Sequence, residues 1–181
     1  MGPAHKHRFL VIDDTVSEDM EQTTQLMAQL QNDLFPSAAF RRWLALVTQL
    51  IVKGYRGQAR RLRPGLDYTL ATADSCRSIL DATLCFATSA DSKGVEAWES
   101  DEVGGYECYM AQDPQEDPAV YNAAVTEEDG ALLTISAGSN VLSLVLRDEE
   151  VMKFTKYVSS LAPGSRWDVA FEYELSPEES E

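Results

Sequence analysis

The spacing of apolar residues in the first part of the chain predicts two helices. From residue 17 to 33, apolar side chains recur every three or four positions, which is typical of a helix with one buried face. Thr15 and Glu18 have the spacing of a capping box at its start, and Pro36 is expected to end it. A second helix is predicted to follow and to end at Gly54. Six apolar residues are predicted to share its buried side: Phe40, Trp43, Leu44, Val47, Leu50 and Ile51.

After Gly57 the pattern changes to the alternation of apolar and polar residues that is typical of strands. In ILDATLCFAT, for example, Leu80, Ala82, Leu84 and Phe86 fall on one side. Six other segments look strand-like: YTLAT, GGYECYMA, ALLTISA, VLSLVLR, FTKYVSS and RWDVAFEYEL. Seven or eight short strands separated by turn residues indicate a sandwich or barrel, and the two helices are expected to pack against an outer sheet face.

The composition is that of one soluble globular domain. The chain has 181 residues, of which 44% are hydrophobic and 25% charged. No apolar run approaches the ~18–20 residues of a membrane span and no signal peptide is recognisable, so we expect the chain in the cytoplasm and nucleus, without a membrane partner. The three cysteines form no CxxC pair, which argues against a disulfide framework or a zinc site. Cys85 lies in an apolar run and is expected to be a core residue.

The predicted domain covers residues 15–175. Residues 1–14 are expected to be an artificial start, an interdomain linker or an extended arm. Residues 176–181, with the sequence SPEESE, are expected to form an acidic tail. The stretches 88–103 and 112–130 are expected to be long connections between strands.

The net charge of −15 argues against nucleic acid as the main partner, because phosphate binding requires a basic surface. The charges are unevenly distributed along the chain. Residues 41–63 contain seven basic residues and no acidic one, whereas residues 91–129 contain twelve acidic residues against the single Lys93. Three interpretations are compatible with this asymmetry: two solvated faces that favour solubility, a basic groove for an acidic protein segment, or RNA binding.

Candidate catalytic residues are few. The two histidines, His5 and His7, precede every predicted core element, so the sequence lacks the two histidines and one carboxylate of a non-haem iron centre. For the same reason it lacks a Ser-His-Asp or Cys-His site. No P-loop or G-x-G-x-x-G motif is present. Asp67, Asp74 and Asp81 lie near predicted strand ends and are interpreted as turn and surface residues.

Two alternative functions follow from other residues. A carboxylate-only metal site in the mouth of a barrel would suit Mg or Mn and would make the chain an independent enzyme. A lectin-type binding module would present exposed aromatic residues, for which Trp98, Tyr106 and Tyr109 are candidates. Alternating core packing also accounts for the two tyrosines, whereas Trp98 falls in a stretch predicted to be an acidic loop.

Several long phrases resemble the C-terminal half of a family of 2-oxoglutarate- and Fe(II)-dependent prolyl hydroxylases. They are ARRLRPGLDYTLATAD, GGYECYMA and SNVLSLVLRDEEVMKFTKYVSSLAPGSRWDVAFEYE, together with the two helices before them. The family modifies a proline of a small-subunit ribosomal protein, and in fungi it also regulates the stability of a sterol-responsive transcription factor under changing oxygen. The resemblance covers about residues 15–175. It implies a β-rich α+β fold, a double-stranded β-helix (jelly-roll) with the helices packed on one sheet.

The family has two such domains in one chain, and the resemblance implies that this one is the C-terminal domain without a metal centre. In metal-binding relatives a turn like Pro64-Gly65 leads to an H-x-D pair, which would fall here at about Ala71 and Ala73. The second histidine would fall near Lys153 or Phe154. None of these residues binds iron, so Fe(II) and 2-oxoglutarate are expected in the N-terminal domain of a longer parent.

The resemblance also places the basic residue that would bind the 2-oxoglutarate carboxylate near Arg166. Arg166 is either a vestige of that role or, as we expect, a hydrogen-bond partner of neighbouring strands. The implied function is a protein-interaction and regulatory domain. Its partners would be the catalytic domain of the parent and a regulatory protein, such as a transcription factor or an inhibitor protein. The candidate contact residues are Arg60, Arg61, Arg63 and Trp98.

Overall fold

The computed structural model describes residues 8–9, 18–71, 78–111, 131–149 and 151–176. Its helices are α1 (Glu18–Gln29), α2 (Ala38–Thr48) and α3 (Ser92–Glu99), and a π-helical segment, Leu30–Leu34, directly continues α1. Its strands are β1 (Arg8–Phe9), β2 (Val52–Leu62), β3 (Ile79–Ala87), β4 (Glu107–Ala111), β5 (Ala131–Ile135), β6 (Ser139–Arg147), β7 (Val151–Thr155) and β8 (Arg166–Leu175). None of these helices is both long and apolar enough to cross a membrane.

The strands form two antiparallel sheets. The order in the larger sheet is β1-β2-β8-β3-β6, and in the smaller sheet it is β5-β4-β7. The pairing of β2 with β8 runs from Val52 opposite Leu175 to Leu62 opposite Arg166. On its other side β8 pairs with β3, which in turn pairs with β6. The prediction of a β-rich fold with few helices is therefore confirmed.

The two N-terminal helices cover the outer face of the larger sheet, as predicted. Met27, Phe35 and Leu44 are fully buried there, and the hydroxyl of Tyr173 donates a hydrogen bond of 2.7 Å to the carbonyl of Phe35. The sheet side of this core comes from alternate residues of β3 and β8, because successive side chains of a strand point to opposite faces. These residues are Leu80, Ala82, Val169, Phe171 and Tyr173.

Helix α2 ends earlier than the sequence predicts. Ser37 begins it as an N-cap that accepts a hydrogen bond of 3.0 Å from the backbone N–H of Phe40. Gln49 ends it in the left-handed conformation, with φ of 62°. The prediction that Gly54 ends the helix is wrong, because Gly54 lies within β2.

The side of α2 that faces the sheet is also narrower than predicted. Phe40 and Leu44 pack against the larger sheet, whereas Trp43, Val47 and Ile51 are exposed. The prediction that all six apolar residues share one buried side is wrong for these three. Trp43 and Val47 lie on the flank of the helix that is turned away from the sheet, and Ile51 lies beyond its end.

Two elements are missing from the sequence prediction. Strand β2 contains two glycines and four basic residues, so it lacks the apolar alternation of the other strands. Helix α3 lies within 88–103, which the sequence predicts to be a connection. Asp91 caps it by accepting a hydrogen bond of 2.9 Å from the backbone N–H of Gly94. Conversely, of the predicted strand YTLAT only an isolated bridge at Tyr68 is seen within the described residues.

Some predictions concern residues outside the described ranges. They are the histidines His5 and His7, the cap residue Thr15, Ala73, Asp74, Cys76, the connection 112–130 and the tail from 177 onwards. Cys85 is described and is buried, as predicted.

Candidate functional site: a buried ion network between the sheets

Charged side chains, rather than apolar ones, fill the middle of the space between the two sheets. They come from the strand faces opposite to the helix-covered core, and acids and bases alternate along a chain of contacts. In order, this ion network consists of Arg56, Glu172, Arg147, Asp81, Lys153, Glu107, Arg166, Asp168 and Arg60. It links β2, β3, β6 and β8 of the larger sheet to β4 and β7 of the smaller one.

Lys153, on β7, lies at the centre of the network. Its Nζ is 3.6 Å from a carboxylate oxygen of Glu107 and 3.8 Å from one of Asp81, and it donates a hydrogen bond of 3.1 Å to the hydroxyl of Thr83. The ammonium also lies 5.4 Å from the centre of the Tyr109 ring, within the range of a cation–π contact. Each of these partners is buried, so the ammonium is held between both sheets.

Arg166, on β8, connects the network to the loop before β4. Its guanidinium donates to Glu107 at 3.1 Å, to Asp168 at 3.2 Å and to the backbone carbonyl of Gly105. Asp168 in turn accepts two hydrogen bonds, of 2.7 and 2.8 Å, from Arg60 on β2. Asp168 thus has two cationic partners and no exposed surface. Arg166 therefore bonds within its own strand, to Asp168, and across to Glu107 on β4.

The other end of the network opens to solvent. Arg147, on β6, donates to Asp81 and to Glu172, both at 3.0 Å. Glu172 also accepts from Arg56, whose side chain is 67% exposed. Only Oδ2 of Asp81 takes part in these contacts. Its other oxygen, Oδ1, is buried and accepts no hydrogen bond from the described residues.

The network moves the pKa values of its two central carboxyl groups in opposite directions. For Glu107, burial alone would raise the pKa, but the charges of Lys153, Arg166 and Arg60 outweigh it and lower the pKa to about 2. For Asp81, burial raises the pKa more than Lys153 and Arg147 lower it, so the net shift is upward. Glu107 is therefore the more firmly ionised of the two acids.

These residues do not fit an iron centre. The hydroxyl of Thr69 bonds to both the N–H and the carbonyl of Thr155, at 2.8 and 3.2 Å, so the segment leading to Ala71 runs beside β7, which carries Lys153. Two of the positions that the resemblance assigns to iron ligands thus lie on neighbouring segments, but a methyl group and an ammonium are not metal ligands. Within the described residues, no cluster of three or more His, Cys, Asp or Glu side chains has the geometry to hold a metal.

The three arginines predicted to contact a partner do not form one cluster. Arg60 points inward to the ion network, whereas Arg61 points outward, where its guanidinium lies 4.9 Å from the centre of the Trp167 ring. Arg63, in the turn after β2, donates two hydrogen bonds of 2.8 Å to Asp67. The reason is the alternation of side chains along a strand, which places neighbouring residues on opposite faces. Each of the three already has an internal partner.

Trp98 is not available to a partner either. Its side chain is 1% exposed, in helix α3, and its indole N–H donates a hydrogen bond of 3.1 Å to the carbonyl of Thr88. It packs with Leu62 and Val158 in an apolar cluster between the sheets. The prediction of an aromatic residue standing in an acidic loop is therefore wrong. Tyr106 and Tyr109, the other candidates for a lectin-type site, are also buried.

Sequence reasoning missed most of the ion network. Asp81 and Asp67 are buried, so their interpretation as surface residues is wrong. The available signal was the charge alternation in RWDVAFEYEL, where Arg166, Asp168 and Glu172 share the face opposite to Trp167 and its apolar neighbours. On a strand buried on both sides, a charged face has to find partners of opposite charge.

Comparisons with known proteins place this domain in a family. The family described as oxoglutarate and iron-dependent oxygenase degradation C-term matches residues 1–181. Prolyl 3,4-dihydroxylase OGFOD1 of Ostreococcus tauri is 33% identical over 177 residues, which are 95% of this chain and 34% of that protein. Prolyl 3-hydroxylase OGFOD1 of Xenopus laevis is 34% identical over 89 residues, 44% of this chain and 14% of that protein.

Among solved structures, a prolyl-4-hydroxylase of Pseudomonas putida aligns with 97% of this chain and 77% of its own, with a TM-score of 0.43 and 14% identity. The chain spans about a third of the length of the Ostreococcus protein. The chain therefore belongs to the oxoglutarate and iron-dependent oxygenase degradation C-terminal domain family.

Proposed function

We propose that this chain is the non-catalytic, protein-interacting domain of a larger 2-oxoglutarate- and Fe(II)-dependent prolyl hydroxylase. The observation that carries the proposal is the ion network. Lys153 and Arg166, the residues that the resemblance places at a metal-ligand position and a 2-oxoglutarate position, are each held by buried acidic partners. Neither cation offers a ligand to iron, and the carboxylates beside them are already neutralised.

The order of the strands supports the double-stranded β-helix as the fold. Along the chain, β2 and β3 lie in the larger sheet, β4 and β5 in the smaller, and β6, β7 and β8 alternate between the two. A chain that passes repeatedly from one sheet to the other is wound in the manner of a jelly-roll. In this domain the space between the two sheets holds the ion network.

The activity proposed for the parent is the hydroxylation of a prolyl residue, because both OGFOD1 relatives bear names of prolyl hydroxylases. We further propose a small-subunit ribosomal protein as the substrate, control of the turnover of a sterol-responsive transcription factor, and a location in the cytoplasm and nucleus. Fe(II) and 2-oxoglutarate would bind in the catalytic domain. The partners of this domain would be that catalytic domain and a regulatory protein, since a net charge of −15 disfavours nucleic acid.

Thermal unfolding with and without Mn(II) and 2-oxoglutarate tests the absence of a cofactor site. A ligand at about 100 times its Kd would add about 2.7 kcal/mol to the native state, equivalent to a rise in Tm of roughly 5–10 °C. We expect no rise for the 181-residue chain and a rise for the full-length parent, which is the positive control.

A rise for the 181-residue chain in the presence of Mn(II) alone would overturn the proposal in favour of a carboxylate-only metal site. A rise that also requires 2-oxoglutarate would overturn it in favour of a working oxygenase site. Arg166→Met would then separate cosubstrate binding from metal binding, because it removes the basic residue that the resemblance places at the 2-oxoglutarate carboxylate and leaves every acidic side chain in place.

A further inference from the structure

Helix α2 has an apolar face that is open to solvent. Three of its residues form this surface, called the α2 face: Trp43, Leu46 and Val47. Ile51, just beyond the end of the helix, is also exposed. Leu46 is 75% exposed and Ile51 69%. Positions 43, 46 and 47 are three and four residues apart, so they lie together on one side of a helix.

Helix α2 exposes part of its apolar surface. Eight of the eleven residues in AAFRRWLALVT are apolar, and the sheet buries only the side with Phe40 and Leu44. Contiguous exposed apolar patches usually mark an interaction surface. Within the described residues, nothing covers the α2 face.

We propose that the α2 face packs against the domain that precedes this one in the parent protein. This inference rests on the proposed function, in which a catalytic domain precedes this chain. About two thirds of the Ostreococcus protein lies outside its match to this chain, which is ample for a further domain. In such a parent the preceding domain comes before β1, α1 and α2 in the order of the chain.

The charges beside the α2 face indicate what kind of surface on the preceding domain would bind it. Arg42 is exposed and borders the α2 face, and residues 34–66 contain no acidic residue although the chain as a whole carries a net charge of −15. The complementary surface of the preceding domain is therefore apolar, with a carboxylate opposite Arg42. Such a pair would set the orientation of the two domains more than the strength of their contact.

Hydrogen exchange on the 181-residue chain and on the full-length parent tests the inference. Packing of a second domain raises the free energy of local opening, so we expect peptides from residues 38–51 to exchange about tenfold more slowly in the parent. Peptides from β5 and β6, which also carry exposed apolar residues, serve as the control and should exchange equally in both proteins. Equal exchange of α2 in the two proteins would overturn the proposal.

A pair of matched variants separates this contact from a general effect on stability. Leu46 and Leu161 are both highly exposed leucines, at 75% and 85%, and Leu161 lies in the loop between β7 and β8. Leu46→Glu should abolish the protection of α2 in the parent, and Leu161→Glu should leave it unchanged. Neither should change the Tm of the 181-residue chain, because neither side chain is packed.

Sedimentation of the 181-residue chain decides between the proposed occupant and a second copy. A dimer that Leu46→Glu dissociates would assign the α2 face to self-association and overturn the proposal. The hydrogen-exchange result is independent of the thermal shift test, because exchange at α2 does not report on metal or 2-oxoglutarate binding. Unprotected α2 would thus leave the assignment of a non-catalytic domain intact.

Discussion

Asp168→Asn should destabilise the domain by about 3–5 kcal/mol, the usual cost of removing one partner from a buried ion pair. The carboxylate of Asp168 has no exposed surface and lies between the guanidinium groups of Arg60 and Arg166. An amide of nearly the same shape removes the negative charge and leaves two buried cations beside each other. The loss therefore comes from uncompensated charge, since the amide creates almost no cavity.

Denaturant unfolding measures this effect directly. We expect the midpoint to fall while the dependence of the unfolding free energy on denaturant stays the same, because the surface exposed on unfolding is unchanged. The Tm should fall by roughly 10 °C or more. Arg56→Gln is the control: its pair with Glu172 lies at the exposed end of the network and should contribute less than about 1 kcal/mol. A loss below about 1 kcal/mol for Asp168→Asn would show that the buried ion network does not stabilise the fold.

The apolar patterns in the sequence predicted those strands that have one apolar and one polar face. Strands β3 and β8 appear nearly where alternation placed them, because one face of each meets the helices and must be apolar. Strand β2 escaped prediction since its two faces carry Arg60 and Arg61, and a charge pattern does not reveal which charges will be buried. The partner of Arg60 lies 108 residues further along the chain, beyond the reach of any local pattern.

The same limit applies to the candidate site. The absence of histidine after His7 can be read from the sequence itself, and imidazole is one of the ligands that suit non-haem iron. The buried ion network, in contrast, depends on six strands meeting, and Glu107, Asp81 and Arg147 have nothing in common in sequence except alternation. Trp98 shows the opposite error, because a single aromatic residue among acidic ones looks exposed until the fold encloses it.

Stability should fall steeply with acid because of Glu107, whose pKa is lowered from 4.5 to about 2 in the folded protein. As the pH falls, Glu107 is protonated in the unfolded chain before it is protonated in the folded protein, so protonation favours unfolding. The stabilisation by Glu107 is complete above about pH 5 and is lost as the pH falls through 4.5 towards 2. At 1.36 kcal/mol for each pKa unit it amounts to about 3 kcal/mol, and burial of Glu107 limits its screening by salt.

Glu107→Gln isolates this contribution. A protonated glutamic acid and a glutamine are both neutral, so the variant should be less stable than the wild type by about 3 kcal/mol at pH 7 and should approach it near pH 2. Asp81, whose pKa is raised, has the opposite pH dependence, but it is present in both proteins and largely cancels in their difference. The exposed Glu96→Gln serves as the control and should follow the wild type throughout. A constant difference in unfolding free energy between wild type and Glu107→Gln from pH 7 to pH 2 would mean that Glu107 acts through shape and hydrogen bonding. Its charge at the centre of the network would then not contribute.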